Sequence, residues 1–141
     1  MAESLGGSER MAAGEAFAAL LYGAVSADGV VSQAEAIALT HALFETSMFQ
    51  GLREAHMRAI LTRVRALYRA RGVDGLLSDA APRVPVGLRD TAYAQCVHLV
   101  MADDEVNEAE LAYLRKAQKA LGVSDEVALK VIEVVRILNK A

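Results

Sequence analysis

The chain has 141 residues, of which 54% are hydrophobic, 15 are Lys or Arg and 18 are Asp or Glu, so its formal net charge is −3. This length suits a single domain, and a sequence rich in Ala, Leu, Glu and Arg with only two Pro favours an all-α fold. The single cysteine, Cys96, excludes an internal disulfide, and an N-terminal region with more acidic than basic residues argues against secretion, so we expect a cytoplasmic protein.

The N-terminal part of the chain predicts a flexible end and then a core helix. Residues 1–8 are mostly small or polar, and we expect them to be flexible and to precede one helical domain over residues 9–141. The first helix is predicted from about residue 9 to residue 26, and its second half is apolar on every side, as in a helix surrounded by others. The apolar stretch, residues 16–27, is too short to cross a bilayer, so no membrane insertion is expected.

Two helices of different character are predicted in the middle of the chain. The first covers about residues 33–45. The second covers about residues 52–71, and Gly72 ends it. Helical spacing predicts that one stripe of this second helix faces inward, formed by Leu52, His56, Ile60, Val64 and Leu67.

The same helix is rich in arginine. Six arginines and a single acid, Glu54, lie between residues 51 and 71. Arg58, Arg65 and Arg69 are predicted opposite the inward stripe. Because the chain as a whole is acidic, a solvated arginine face is favoured over nucleic-acid binding, and we expect no nucleic-acid partner.

Four further helices are predicted after Gly72. They cover a short stretch at about residues 74–81 and longer ones at about residues 86–102, 108–121 and 124–139. The helix at residues 86–102 repeats the apolar character of the first helix and is the second predicted core helix. The predicted fold is therefore all-α, a bundle of about seven helices.

Two segments of the chain follow the same plan at a constant separation of 75 residues. Residues 27–35 read Ala-Asp-Gly-Val-Val-Ser-Gln-Ala-Glu, and residues 102–110 read Ala-Asp-Asp-Glu-Val-Asn-Glu-Ala-Glu. In each segment an apolar helix ends at Ala-Asp, a helix-capping residue follows, and a Glu stands three positions beyond the cap. This pattern predicts an internal duplication, with repeat units at about residues 16–45 and 91–121.

The acidic residues of these segments have two interpretations, and both stay open. Ser32 and Asn107 are each followed three positions later by Glu, which fits capping boxes at two helix starts. Asp28 and Asp103 fit this role less well, because they directly follow apolar helices, where the helix dipole disfavours a carboxylate. The segments thus predict either turns and caps alone or a carboxylate site in which four residues face a common cleft: Asp28, Glu35, Asp103 and Glu110.

The two segments, the second running on through Leu111 to Leu121-Gly122-Val123-Ser124, resemble the tellurite-resistance TerB family. The likeness covers about residues 17–138 and is strongest around the two loops. It implies an all-helical bundle with internal duplication, a divalent cation bound by loop carboxylates, no established enzymatic activity, and a link to tellurite resistance or stress response. Carried over by position, the implied metal ligands are Asp28, Glu35, Asp103 and Glu110, with Asp104 and Glu105 beside them.

The chemistry of these residues narrows the function to two classes. Carboxylates without cysteine suit a hard cation such as Ca²⁺, Mg²⁺ or Mn²⁺, although the spacing is not that of an EF-hand. The sequence has no Gly-rich phosphate loop, nucleophile motif or hydrolase signature, so we expect no enzymatic activity. The remaining hypotheses are a metal-binding module and a protein-interaction module that contacts a protein partner through its acidic loops or its arginine-rich helix.

Overall fold

Six α-helices and two short 3₁₀-helices form the secondary structure of residues 2–29, 31, 33–45, 49–51, 54–102 and 106–140, the part of the chain that a computed structural model describes. The α-helices are α1 (Ala2–Ser26), α2 (Gln33–Glu45), α3 (Glu54–Ala80), α4 (Arg89–Val100), α5 (Glu108–Leu121) and α6 (Asp125–Leu138). The 3₁₀-helices, Ala81–Arg83 and Val86–Leu88, connect α3 to α4. No strand occurs in these residues, so the all-α prediction is confirmed.

The bundle is built around α1, which packs against α2, α3, α4 and α5. Its second half is buried on all sides, from Ala16 through Leu21 and from Ala24 to Val25, as the uniformly apolar sequence predicts. Helix α4 is the second core helix, and its Val97 and Val100 are fully buried. Burying one such aliphatic side chain stabilises the folded state by about 1.5–3 kcal/mol, so the buried side chains of α1 and α4 supply much of the stability.

Two contacts connect α4 and α5 to one carbonyl group of α1. The hydroxyl of Tyr113 on α5 donates a 2.7 Å hydrogen bond to the Leu20 carbonyl oxygen, and the thiol of Cys96 on α4 lies 3.5 Å from the same oxygen. Gly23 makes this packing possible, because a Cβ atom there would lie 2.5 Å from the Tyr113 hydroxyl oxygen. The glycine is therefore required by the close approach of α5 to α1.

Helix α3 differs from its prediction at Gly72. This residue leaves the helical region, with φ 71° and ψ −178°, but the helix resumes beyond it and runs to Ala80. The helical stretch after this break corresponds to the short helix predicted at residues 74–81, and it is counted as the last part of α3, so the described residues hold six α-helices. An ion pair of 2.7 Å between Arg71 and Asp79 spans the break.

The inward stripe of α3 is also shifted from its predicted position. Ile60 and Val64 are buried as expected, but Met57 is the third buried residue, while His56 is exposed and Leu67 is 39% exposed. Leu52, the remaining member of the predicted stripe, lies outside the described residues. The buried stripe is rotated by about one residue because Tyr68, on the same side as Met57, packs edge-on against Tyr22 of α1. The centroids of the two rings are 5.6 Å apart.

Three of the other helices agree closely with their predicted bounds, whereas α1 and α4 differ. Helix α4, predicted at residues 86–102, is Arg89–Val100, and the 3₁₀-helix Val86–Leu88 precedes it. Helices α2 and α5 have the predicted bounds. Helix α6 begins one residue after its predicted start, because Ser124 is its N-cap and accepts a hydrogen bond from the backbone N–H of Val127. Helix α1 begins at Ala2, seven residues before its predicted start. No helix in the described residues combines the length and apolar character needed to span a membrane.

Candidate functional site

The start of α5 positions the first acidic residue of the candidate site. Asn107 caps the helix: its side-chain oxygen accepts a 2.8 Å hydrogen bond from the backbone N–H of Glu110. In return, the carboxylate of Glu110 accepts a 3.2 Å hydrogen bond from the backbone N–H of Asn107. The capping box predicted here is confirmed. The equivalent prediction for Ser32 lies outside the described residues.

Glu35 and Glu110 are the two buried acidic residues among those whose burial is described, and each is 5% exposed. They occupy equivalent positions, 75 residues apart, in the first turns of α2 and α5. Their side chains hydrogen-bond to each other. A capping role alone would leave two such carboxyls at the surface of separate helices, so their burial against each other is the feature that marks this region as a site.

The environment of Glu110 favours its protonated form. The pKa of Glu110 is raised to about 7, chiefly by burial and also by the charges of Glu35 and Asp28 and the hydrogen bond with Glu35. The hydrogen bond from the Asn107 backbone acts in the opposite direction. Near neutral pH, a large fraction of Glu110 is therefore protonated, which favours a hydrogen bond between the two side chains.

Asp28 joins this pair from the loop after α1. That loop turns at Gly29, which has φ 82° and donates its N–H to the Ser26 carbonyl at 2.9 Å. The Asp28 carboxylate is exposed and accepts a 2.7 Å hydrogen bond from the side-chain amide of Asn107. The loop of the first segment is thus connected directly to the helix cap of the second.

Three of the six residues predicted for the site are therefore brought together: Asp28, Glu35 and Glu110. The other three, Asp103, Asp104 and Glu105, lie outside the described residues, and their part in the site stays a prediction. Within the described ranges, no group of three or more His, Cys, Asp or Glu side chains is arranged to hold a metal ion. The oxygen chemistry of the site suits a hard cation, but the described residues do not form a complete set of ligands.

Asn107 has a second role that the sequence patterns did not reveal. The capping-box pattern accounts for its side-chain oxygen, but its amide group also donates to Asp28. The available signal was the difference between the two segments, since the first has Ser32 at the equivalent cap and a hydroxyl offers fewer hydrogen-bonding groups than an amide. Asparagine can cap a helix and bind a second loop at once.

Comparison with known proteins gives one match. A protein-family model described as "Tellurite resistance protein TerB" matches residues 14–131 of the chain. No curated protein and no solved structure matches it significantly.

Proposed function

Because this chain belongs to the TerB family of tellurite resistance proteins, we propose that it is a non-catalytic module that binds a divalent cation between its two acidic loops. The family match spans most of the chain, including both loops and both buried glutamates. The family description connects the proposal to tellurite resistance or a related stress response.

The observation that supports cation binding is the convergence of Asp28, Glu35 and Glu110. Three carboxyl groups from two distant segments of the sequence lie near one another, and the pKa of Glu110 is raised to about 7, chiefly by burial and further by the neighbouring charges. A cation would favour the ionised form of Glu110 and would relieve the repulsion among the three groups. Hard cations of this kind are Ca²⁺, Mg²⁺ and Mn²⁺.

The remaining ligands in this proposal come from the second loop. Asp103, Asp104 and Glu105 follow α4 in the sequence and precede Asn107, whose side chain already contacts Asp28. One loop has too few oxygen atoms for a cation that takes six or more ligands, so both loops are required. The two loops would not contribute equally, since Gly29 of the first corresponds to Asp104 of the second.

The proposal includes an internal duplication, in which α1 and α2 correspond to α4 and α5. Its support is the pattern of packing: α1 contacts α4, and each of these two helices contacts both α2 and α5. The equivalent glutamates of α2 and α5 then face each other across the centre of the arrangement.

A non-catalytic role is supported by Cys96, whose burial raises the pKa of its thiol to about 12, which makes it a poor nucleophile. A cytoplasmic location is supported by the single cysteine.

Calorimetric titration of metal-free protein with Ca²⁺, Mg²⁺ and Mn²⁺ tests the proposal. We expect saturable binding of at least one cation, and we expect the double variant Asp28→Asn with Asp103→Asn to weaken it at least about tenfold, the loss expected when two charged ligands are removed. The matched control is Glu126→Gln with Glu133→Gln, which removes the same charge from the exposed side of α6. An equal loss in both variants, or no saturable heat with any of the three cations, would refute cation binding.

A second candidate function is a protein-interaction module, and one observation favours it. Arg65 and Arg69 on α3 are exposed and have no ion-pair partner among the described residues. Together with Arg58 they form a basic surface on a chain with net charge −3, so the two signs of charge are separated. Such separation suits binding of a charged protein partner.

A further inference from the structure

The outward face of α3 has an ordered arrangement of side chains. Met57, Ile60 and Val64 define its buried side. The opposite side is exposed and carries only small side chains over about four turns: Ala55, Ala59, Thr62, Ala66 and Ala70. These residues recur at intervals of four and three, which keeps them on one line along the helix.

A column of arginines runs beside this small-residue line. Arg58, Arg65 and Arg69 are separated by seven and four residues, so they lie on one side of the line, and all three are exposed. Arg58 pairs with Glu54 at 2.8 Å, but both side chains are more than 70% exposed, so this pair is weak. Arg65 and Arg69 have no acidic partner in the part of the chain that the structure describes.

The other described arginines of α3 have structural partners. Arg63 pairs with Glu15 of α1, and Arg71 pairs with Asp79 across the break at Gly72. Arg65 and Arg69 are one helical turn apart, and like charges at that spacing destabilise a helix. Apart from the weak pair of Arg58 with Glu54, no described contact offsets the repulsion within the column, and an external negative charge would relieve it.

We propose that this face of α3, from Ala55 to Ala70, docks a helix of a partner protein that carries Asp or Glu along one side. The small side chains let the backbone of a second helix approach closely, and the heptad-like spacing keeps the two helices in contact over several turns. The arginine column then faces the acidic side chains of the partner, and bidentate guanidinium–carboxylate pairs fix its register.

Other occupants fit this face less well. A nucleic acid would meet only two unpaired arginines and no aromatic side chain on the small-residue line, on a chain that repels polyanions through its net charge. A second copy of the chain offers α5 and α6, but neither presents an acidic column of this length. In α5 the acidic residues are confined to the first turn, and in α6 they are interspersed with basic ones, as in the pair of Lys130 with Glu126. This inference extends the interaction hypothesis and does not depend on cation binding.

The test measures binding of two synthetic helical peptides of about 20 residues, a length of about 30 Å that covers the face. In one peptide, Glu residues form a single column beside an Ala line, and in the other the same residues are distributed around the helix. Fluorescence anisotropy with chelator present removes any contribution of a cation, so failure here is separate from failure of the cation proposal. We expect the ordered peptide to bind at least about tenfold more tightly than its isomer, since three aligned charge pairs each contribute a small factor.

Three variants separate docking from general charge attraction. Replacing Arg58, Arg65 and Arg69 by Gln should weaken binding of the ordered peptide about tenfold. The matched control replaces Arg83, Arg115 and Arg136 by Gln, and it should change binding less than about twofold. Ala59→Gln with Ala66→Gln retains all charges but blocks close approach, and it should also weaken binding about tenfold. Thermal melts by circular dichroism verify that each variant is folded.

Several results would overturn the inference. Equal losses in the two arginine variants, or unchanged binding in the alanine variant, would mean that only overall charge matters. If a duplex oligonucleotide binds more tightly than the ordered peptide, and its binding depends on the same three arginines, the face is assigned to nucleic acid. If the protein self-associates and the arginine variant abolishes this, the face is assigned to a second copy of the chain. Absence of saturable binding of the ordered peptide up to about 1 mM, the limit of weak specific affinity, would also refute docking.

Discussion

The carboxyl group of Glu110 should make the stability of the protein depend on pH. Its pKa is about 7 in the folded state and 4.5 for an ordinary Glu, so between these values the folded chain holds a proton that the unfolded chain releases. The stabilisation from this proton is complete below about pH 4.5 and is lost as the pH rises through 7. The full change is on the order of 3 kcal/mol.

Glu110→Gln should remove most of this dependence, because Gln stays neutral and can still accept the capping hydrogen bond. Urea unfolding at pH 5 and pH 8, with chelator present, measures the change in free energy of unfolding between the two conditions. Glu108→Gln, an exposed residue of the same helical turn, is the control and should behave like the parent. If Glu110→Gln has the same pH dependence as the parent, the buried carboxyl pair does not share a proton.

Gly23 is a second residue for which a single atom should matter. Gly23→Ala would place a Cβ atom 2.5 Å from the hydroxyl oxygen of Tyr113, and we expect a loss of about 1–3 kcal/mol from this overpacking. Gly87→Ala is the control, since its Cβ atom would meet no other atom within 4 Å. Chemical denaturation gives both values.

The same measurement on a double variant identifies the cause. With Tyr113→Ala in place, the Gly23→Ala substitution should cost much less, because the side chain that it contacts is gone. Strictly additive losses would show that Gly23 matters for another reason.

At the scale of single elements, the break in α3 should depend on the glycine itself. Gly72 combines φ 71° with ψ −178°, a region that residues with a Cβ atom rarely adopt. Gly72→Ala should therefore lower the free energy of unfolding by about 1–3 kcal/mol, even though its Cβ atom would have open space. An unchanged or higher stability by urea unfolding would mean that α3 can straighten through this position.

The helix boundaries could largely be predicted from the sequence, because caps and apolar runs are local signals. Asn107, Ser124 and Gly122 define helix ends that the structure confirms. Gly72 illustrates the limit: its conformation follows from local chemistry, but the continuation of α3 depends on contacts such as Arg71 with Asp79. The predicted stripe through His56 was wrong for a similar reason, since Tyr68 and its contact with Tyr22 set the rotation of the helix.

The candidate site could be predicted only in part. The equivalence of Glu35 and Glu110 follows from the spacing of 75 residues, but their burial and mutual hydrogen bond depend on how the helices pack. The hydrogen bond between Asn107 and Asp28 joins residues 79 positions apart, and no periodic pattern contains it. Local capping signals explain why these residues occur at the helix starts, whereas tertiary packing decides which of their side chains contact each other.

At the scale of the whole molecule, a bound cation should stabilise the folded state. A ligand that binds only the folded chain raises its stability by about 2.7 kcal/mol at a hundredfold excess over its Kd. We therefore expect a higher Tm with millimolar Ca²⁺, Mg²⁺ or Mn²⁺ than with chelator, and no such increase in Asp28→Asn with Asp103→Asn. Equal Tm values of the parent protein in all conditions would leave protein interaction as the function to pursue.

The tyrosine pair between α1 and α3 gives the molecule an optical reporter of its own. The chain has no tryptophan, so its ultraviolet emission comes entirely from four tyrosines. Tyr68 contacts the ring of Tyr22 and donates a 3.2 Å hydrogen bond to the carbonyl of Ser26, two residues before Asp28. A rearrangement of the first acidic loop should therefore change the intrinsic fluorescence, and Tyr68→Phe should diminish that change without the need for any attached dye.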